Sequence, residues 1–136
     1  MRQMALVLAI DPGHGKCGLA LVSDEGVQLR AIVPAVEIGL TCHYLLQQHP
    51  EAKVIMGEGT GRAAVQAAIH KVLPETAVTV VAEAHSTLRA RERYFQEQPL
   101  TLWQRLLPAG MRVPPRPVDD YAAVVLAEDF LKGMRG

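Results

Sequence analysis

The sequence predicts an α/β fold: a mixed five-stranded sheet of three antiparallel strands followed by βα units, with helices on both faces. Three observations lead there. Three short apolar runs, bounded by Pro, Gly and Asp, follow one another with no helical spacing between them. Two later apolar runs are each followed by a helical pattern. The whole chain then reads βββαβαβα, with extra turns before the last helix.

"MALVLAID", "CGLALVSD" and "VQLRAIVP" are the three consecutive strands, the second and third joined at "SDEG", a hairpin turn ending in Gly. "AVEIGLTCHYLLQQHP" is the first helix. Val36, Leu40, His43, Tyr44 and Leu45 recur there at helical spacing, and Pro50 marks its end. "AKVIMG" reads as a buried strand and "TGRAAVQAAIHKVLP" as a helix with Ala64, Ala68 and Val72 on one face. "AVTVVAE" is a β-branched strand, and "STLRARERYF" a helix with Ser86 or Thr87 as N-cap. "PLTLWQRLLP" adds one or two helical turns. The prolines Pro108, Pro114, Pro115 and Pro117 exclude a helix or central strand and make the next stretch a loop. "VDDYAAVVLAEDFLKGM" closes the chain as a helix, apolar nearly all round from Tyr121 to Ala127 and therefore mostly buried.

At 136 residues, 49% apolar and 21% charged, the chain suits one domain over 1–136 with one core. No apolar run approaches the roughly 20 residues of a membrane span. The first residues read as a strand and not as a signal peptide. Cys17 and Cys42, far apart and without a CxxC or HxxxH companion, frame no zinc site and fit a reduced, cytoplasmic protein. Formal net charge is zero, but its distribution is uneven: six arginines against Glu92 and Glu97 between Arg89 and Arg116, then four acids and no base from Asp119 to Asp129. Two readings follow: a polyanion channel beside a metal site, or two solvated faces of opposite sign.

The acids sit at positions that matter. Asp11 ends the first strand, just before a Pro-Gly turn, and ligands of open α/β sheets gather beyond the carboxyl ends of strands. An Asx-type turn would place an aspartate there too. Gly13, Gly15 and Gly18 permit close backbone approach to a ligand. They form no Walker loop, because Ile10 and Cys17 stand where that motif needs Gly and Ser or Thr. Glu83 ends another strand in the same way. Asp119 and Asp120 open the last helix, where its positive end favours a carboxylate. Converging at one edge, such acids would repel unless a cation sat between them, and oxygen-only ligands favour Mg²⁺ or Mn²⁺. Two such ions, roughly 3.5–4 Å apart, can activate water and stabilise the leaving oxygen of a phosphodiester.

"AIDPGHGKCGLALVSD" resembles the first strand pair of the YqgF/RuvX family, in the ribonuclease-H-like superfamily that also holds the RuvC junction resolvases. "VIMGEGTGRAA" falls at that family's strand and glycine loop. Glu83, Ser86 and Thr87 match its "DERLST" segment, and Asp119, Ala122 and Ala123 its final "D-x-x-A-A" helix. The resemblance covers nearly the whole chain, in order. It implies a ribonuclease-H-like fold and a nuclease whose metal ligands are Asp11, Glu83 and Asp119, with Asp120 as a secondary candidate. It further implies a part in maturing the 5′ end of 16S ribosomal RNA, or Holliday junction resolution. Two departures stand out. Ala84 and His85 follow the glutamate where Arg is usual, and "GEGTG" replaces "GLP", as in the YqgF-type domain of Tex proteins, which is associated with RNA binding.

Around these acids, Arg89 and Arg93 lie four apart on one helix face and could grip a phosphate backbone; a Glu92–Arg89 surface pair is the plainer reading. Lys16 is a further candidate phosphate contact. His14 and His85 flank the strand-end acids as proton relays or solvent-facing residues. Trp103 reads as a core anchor, and Glu58 and Thr60 stand in the glycine loop. The expected function is a cytoplasmic Mg²⁺- or Mn²⁺-dependent nuclease on structured RNA or branched DNA, acting as a monomer or homodimer. A non-catalytic RNA-binding module is the alternative. An actin-like phosphotransferase, which closes two lobes around ATP, would need a longer chain.

Overall fold

Side-chain alternation in the first two strands builds both faces of the sheet. In the computed structural model, which describes residues 5–82, 86–98, 105–106 and 117–135, β1 (Leu6–Asp11) points Leu8 and Ile10 to one face and Val7 and Ala9 to the other. In β2 (Lys16–Ser23), Cys17, Leu19 and Leu21 share the first face, and Ala20 and Val22 the second. All of these are buried. β3 (Gly26–Pro34) follows through the expected hairpin: Ser23 pairs with Gly26, whose φ of 129° is the left-handed-side geometry that only glycine adopts without strain. Between Leu21 and Val22 the register slips by one residue of β3, so that Gln28 is extra.

The chain then crosses the sheet twice, through α1 (Ile38–Gln48), preceded by a 3₁₀ turn at Ala35–Glu37, and α2 (Arg62–Val72). β4 (Lys53–Gly57) and β5 (Val78–Val81) are parallel to β1 and complete the order β3-β2-β1-β4-β5. α3 (Ser86–Glu97) and α4 (Asp119–Arg135) close the fold. Ile38, Cys42, Leu45, Val65 and Ile69 of α1 and α2 cover the first face. Ala123, Val124, Leu126, Ala127 and Leu131 of α4 cover the second. α3 packs outside α4, with Ala90 buried against Tyr121 and Ala122. The mixed sheet with helices on both faces is as expected, and so is the burial of Tyr121 to Ala127.

The first helix differs from its expected orientation. Val36, Leu40 and Tyr44 are exposed, while Ile38, Gly39, Cys42 and Leu45 are buried. Of the stripe read from spacing Leu45 is buried and His43 half-buried while the rest faces solvent, and the true core face includes a glycine: a Cβ at Gly39 would lie 2.7 Å from the Ala68 carbonyl oxygen and 2.9 Å from a Val72 methyl. That crossing is where the Ala68 and Val72 face of α2 goes, and only glycine lets the helices meet so closely. Ala64 is exposed. The turns expected in "PLTLWQRLLP" and the proline loop lie outside the described residues, apart from Arg105 and Leu106, which are helical. Among the described residues no helix is long and apolar enough to cross a membrane.

Candidate active site at the carboxyl edge of the sheet

Asp11 is the last residue of β1, and alternation places it on the α4 face, in line with Val7 and Ala9. Its cross-strand partner is Gly18. A Cβ on Gly18 would fall 1.7 Å from the carbonyl oxygen of Asp119 and 2.9 Å from the backbone nitrogen of Asp120. The missing side chain therefore lets the first turn of α4 rest on the β1–β2 ladder, next to Asp11. Gly18 does permit a close backbone approach, but here the approaching partner is α4 itself. Both carboxylates also act on one buried sulfur. Burial pushes the Cys17 thiol up, a backbone hydrogen bond from Gly13 opposes this, and the negative charges of Asp11 and Asp119 push it further up.

Asp119 is only partly satisfied. Its side chain is 34% exposed as a whole, yet Oδ2 is buried and has no hydrogen-bond partner among the described residues. The nearest cation is Lys16, from the start of β2 on the same sheet face, with Nζ 3.4 Å from that oxygen. A buried anionic oxygen without hydrogen bonds is costly. Its chemistry, a hard carboxylate oxygen on the helix turn that rests against Gly18, the cross-strand partner of Asp11, suits a hard divalent cation. The residues present thus fit such an ion. Among the described residues no group of three His, Cys, Asp or Glu side chains is assembled for a metal. Glu83, the expected third ligand, lies outside them, as do His85 and Trp103.

Asp120 is drawn away from this pair. Adjacent helix residues diverge by about 100°, and Asp120 is buried at 3% exposure, facing β3. There Arg30, cross-strand from Ala20 and so on the same face, donates from Nη1 to its Oδ2 at 2.9 Å. The guanidinium also stacks 4.4 Å from the Tyr121 ring centre, and Gln98 donates to the Tyr121 hydroxyl at 3.2 Å. Sequence reading missed Arg30. The available signal was an arginine in alternation with apolar residues of a strand, on the face that small residues line.

The two expected backbone-gripping arginines share a helix face as anticipated, but both are committed to α4. Arg89 makes a two-pronged contact with Asp129, with Nη2 to Oδ1 at 2.8 Å. Arg93 bonds Glu128 and, at 3.2 Å, Glu97. The contact holds the Asp129 carboxyl below the usual carboxylate range and raises the already high Arg89. Two arginines of the basic run thus meet two acids of the acidic one, and the Glu92–Arg89 pair does not form. His14, Glu58 and Thr60 are exposed around the same sheet edge.

No family model matches the chain, and no curated protein matches it. Among solved structures it is similar to Thermus thermophilus RuvC, with TM-score 0.55 and 17% identity over 95% of this chain and 96% of that one. It is likewise similar to T. thermophilus RuvC in complex with Holliday junction substrate, with TM-score 0.56 and 18% identity over 96% of each. The chain has the RuvC-like, ribonuclease-H-like fold.

Proposed function

We propose that the chain is a metal-dependent nuclease of the ribonuclease-H-like superfamily that hydrolyses phosphodiester bonds in structured nucleic acid. One observation carries this reading: Gly18 lets the N-terminus of α4 seat Asp119 beside Asp11, leaving one buried carboxylate oxygen without a hydrogen bond. Asp11 and Asp119 would hold Mg²⁺ or Mn²⁺, with Glu83 as the third ligand. When bound, the ion supplies water activation and stabilisation of the leaving oxygen. The protein's own part is rigidity and charge. The strand ladder fixes Asp11, the helix terminus favours the Asp119 carboxylate, and Lys16 offsets part of the negative charge until the ion arrives.

The YqgF/RuvX resemblance favours the 5′ end of precursor 16S ribosomal RNA as substrate, in the cytoplasm, where two buried free cysteines would stay reduced. Branched DNA is the second reading, favoured by the similarity to a RuvC solved with a Holliday junction substrate; resolving a junction would require a symmetric dimer. The test incubates purified protein with labelled structured RNA and with a four-way DNA junction, in Mn²⁺ or in chelator. Cleavage only with Mn²⁺, abolished in Asp11→Asn while folding and most binding persist, is the expected result. Undiminished cleavage by Asp11→Asn, or binding without metal-dependent turnover, overturns it; the latter leaves a non-catalytic RNA-binding module.

A further inference from the structure

With Arg89 and Arg93 neutralised by α4, substrate phosphates need another cation at the carboxyl edge. β1 and β4 are adjacent parallel strands, with Ile10 opposite Met56, so the loops after Asp11 and Gly57 leave the sheet side by side. They also touch. Gly61 has φ 86°, and a Cβ there would lie 2.8 Å from the Gly13 carbonyl oxygen, so two glycines lock the second loop onto the first. The next residue is Arg62, the first of α2. It is exposed, and among the described residues it pairs with no acid. Several other described cations are placed differently: Lys16 faces Asp119, Arg30 holds Asp120, Lys53 lies by Phe130 at the opposite strand end, and Lys71 is in the last turn of α2, while Arg91 and Lys132 stand on α3 and α4.

We infer that Arg62 binds a backbone phosphate of the nucleic-acid strand adjacent to the bond being cut, held at a fixed offset from Asp11 by the Gly13–Gly61 contact. This rests on the nuclease reading for its substrate but not for its measurement, which is binding in chelator. A guanidinium contacting phosphate contributes to every sequence alike and releases about one counterion.

Binding of a labelled RNA hairpin and of a four-way DNA junction is measured across a KCl series for the full chain, Arg62→Gln, Arg62→Lys and Arg91→Gln. The last alters an arginine of α3 that also lacks an acid partner among the described residues. Arg62→Gln is expected to weaken binding to whichever polymer the unaltered protein binds by about tenfold, and to reduce the slope of log affinity against log salt by about one. Its unfolding midpoint should be unchanged, and Arg62→Lys should keep most of the slope. Unaltered affinity and slope in Arg62→Gln, or an equal loss in Arg91→Gln, overturns the assignment. Metal-dependent cleavage persisting beside an unaltered slope sinks this inference alone; a reduced slope in a protein that never cleaves sinks the nuclease reading and leaves phosphate binding by Arg62, without a bond to cut beside it.

Discussion

Replacing Gly18 by alanine isolates the contact on which the site depends. The added methyl would lie 1.7 Å from the Asp119 carbonyl oxygen, 2.2 Å from its carbonyl carbon and 2.9 Å from the Asp120 nitrogen, all of them backbone atoms with no rotamer to relieve the clash. An ordinary contact requires the first turn of α4 to retreat by about 1.8 Å, at a dispersion optimum near 3.5 Å. That retreat loosens Ala122, Ala123 and Val124, which are 5% exposed or less, and parts Asp119 from Asp11. Overpacking of a tight core costs about 1–3 kcal/mol, and rigid backbone on both sides puts this case at the upper end. About 3 kcal/mol lowers the melting temperature by roughly 10 °C for a chain of this size. Urea unfolding should show a lower midpoint at unchanged slope, and Mn²⁺ should protect the variant less than the unaltered protein. Gly133→Ala is the control. Nothing lies within 4 Å of its Cβ position in the same helix, so it should stabilise by about 0.5–1 kcal/mol. A Gly18→Ala protein within about 0.5 kcal/mol of the original, the ordinary range for an innocuous substitution, would refute the close-approach argument.

The orientation of α1 predicts opposite outcomes on its two faces. Leu40→Ser or Val36→Ser should change stability by less than about 0.5 kcal/mol, while Ile38→Ala, at 0% exposure, should cost about 2–5 kcal/mol in the same urea assay. The Arg89–Asp129 pair predicts an acid limb. Because the folded pKa of Asp129 lies below its unfolded value, the stabilisation is complete above the unfolded pKa near 4 and fades as pH falls through the folded one. Arg89→Gln should therefore flatten the loss of stability below about pH 4 in a pH series of melting temperatures. Since both side chains are over a third exposed, at 40% and 45%, added salt should shrink the difference.

What the sequence reveals and what it hides divide along the range of the interactions. Asp11 at a strand end and Asp119 at a helix start are local placements, legible from apolar runs and turn residues, and the strand pattern is legible for the same reason. Of the residues read as the α1 stripe, Leu45 is buried but Val36, Leu40 and Tyr44 are exposed, because the core face runs through Ile38, Gly39 and Cys42. Hydropathy ranks a glycine low, yet the α1–α2 crossing needs its missing side chain. The α4 contacts of Arg89 and Arg93 were hidden by separation: Asp129 and Glu128 stand 40 and 35 residues away, beyond local spacing, which offers Glu92 and the Glu97 that Arg93 does bond. Arg30 and Asp120, 90 residues apart, were hidden in the same way.

These long-range pairs decide how much charge the site carries. Asp119 and Asp120 open the same helix, and two further acids, Glu128 and Asp129, follow on it. Asp119 and Asp120 lie at the edge with Asp11, while Glu128 and Asp129 come about 14 Å further along the helix. Arg30 removes Asp120 from the sum, Arg93 removes Glu128 and Arg89 removes Asp129. Asp119 faces Lys16 instead, at the sheet edge where Asp11 ends β1. Among the described residues, Asp119 is thus the acid of α4 that pairs with no arginine.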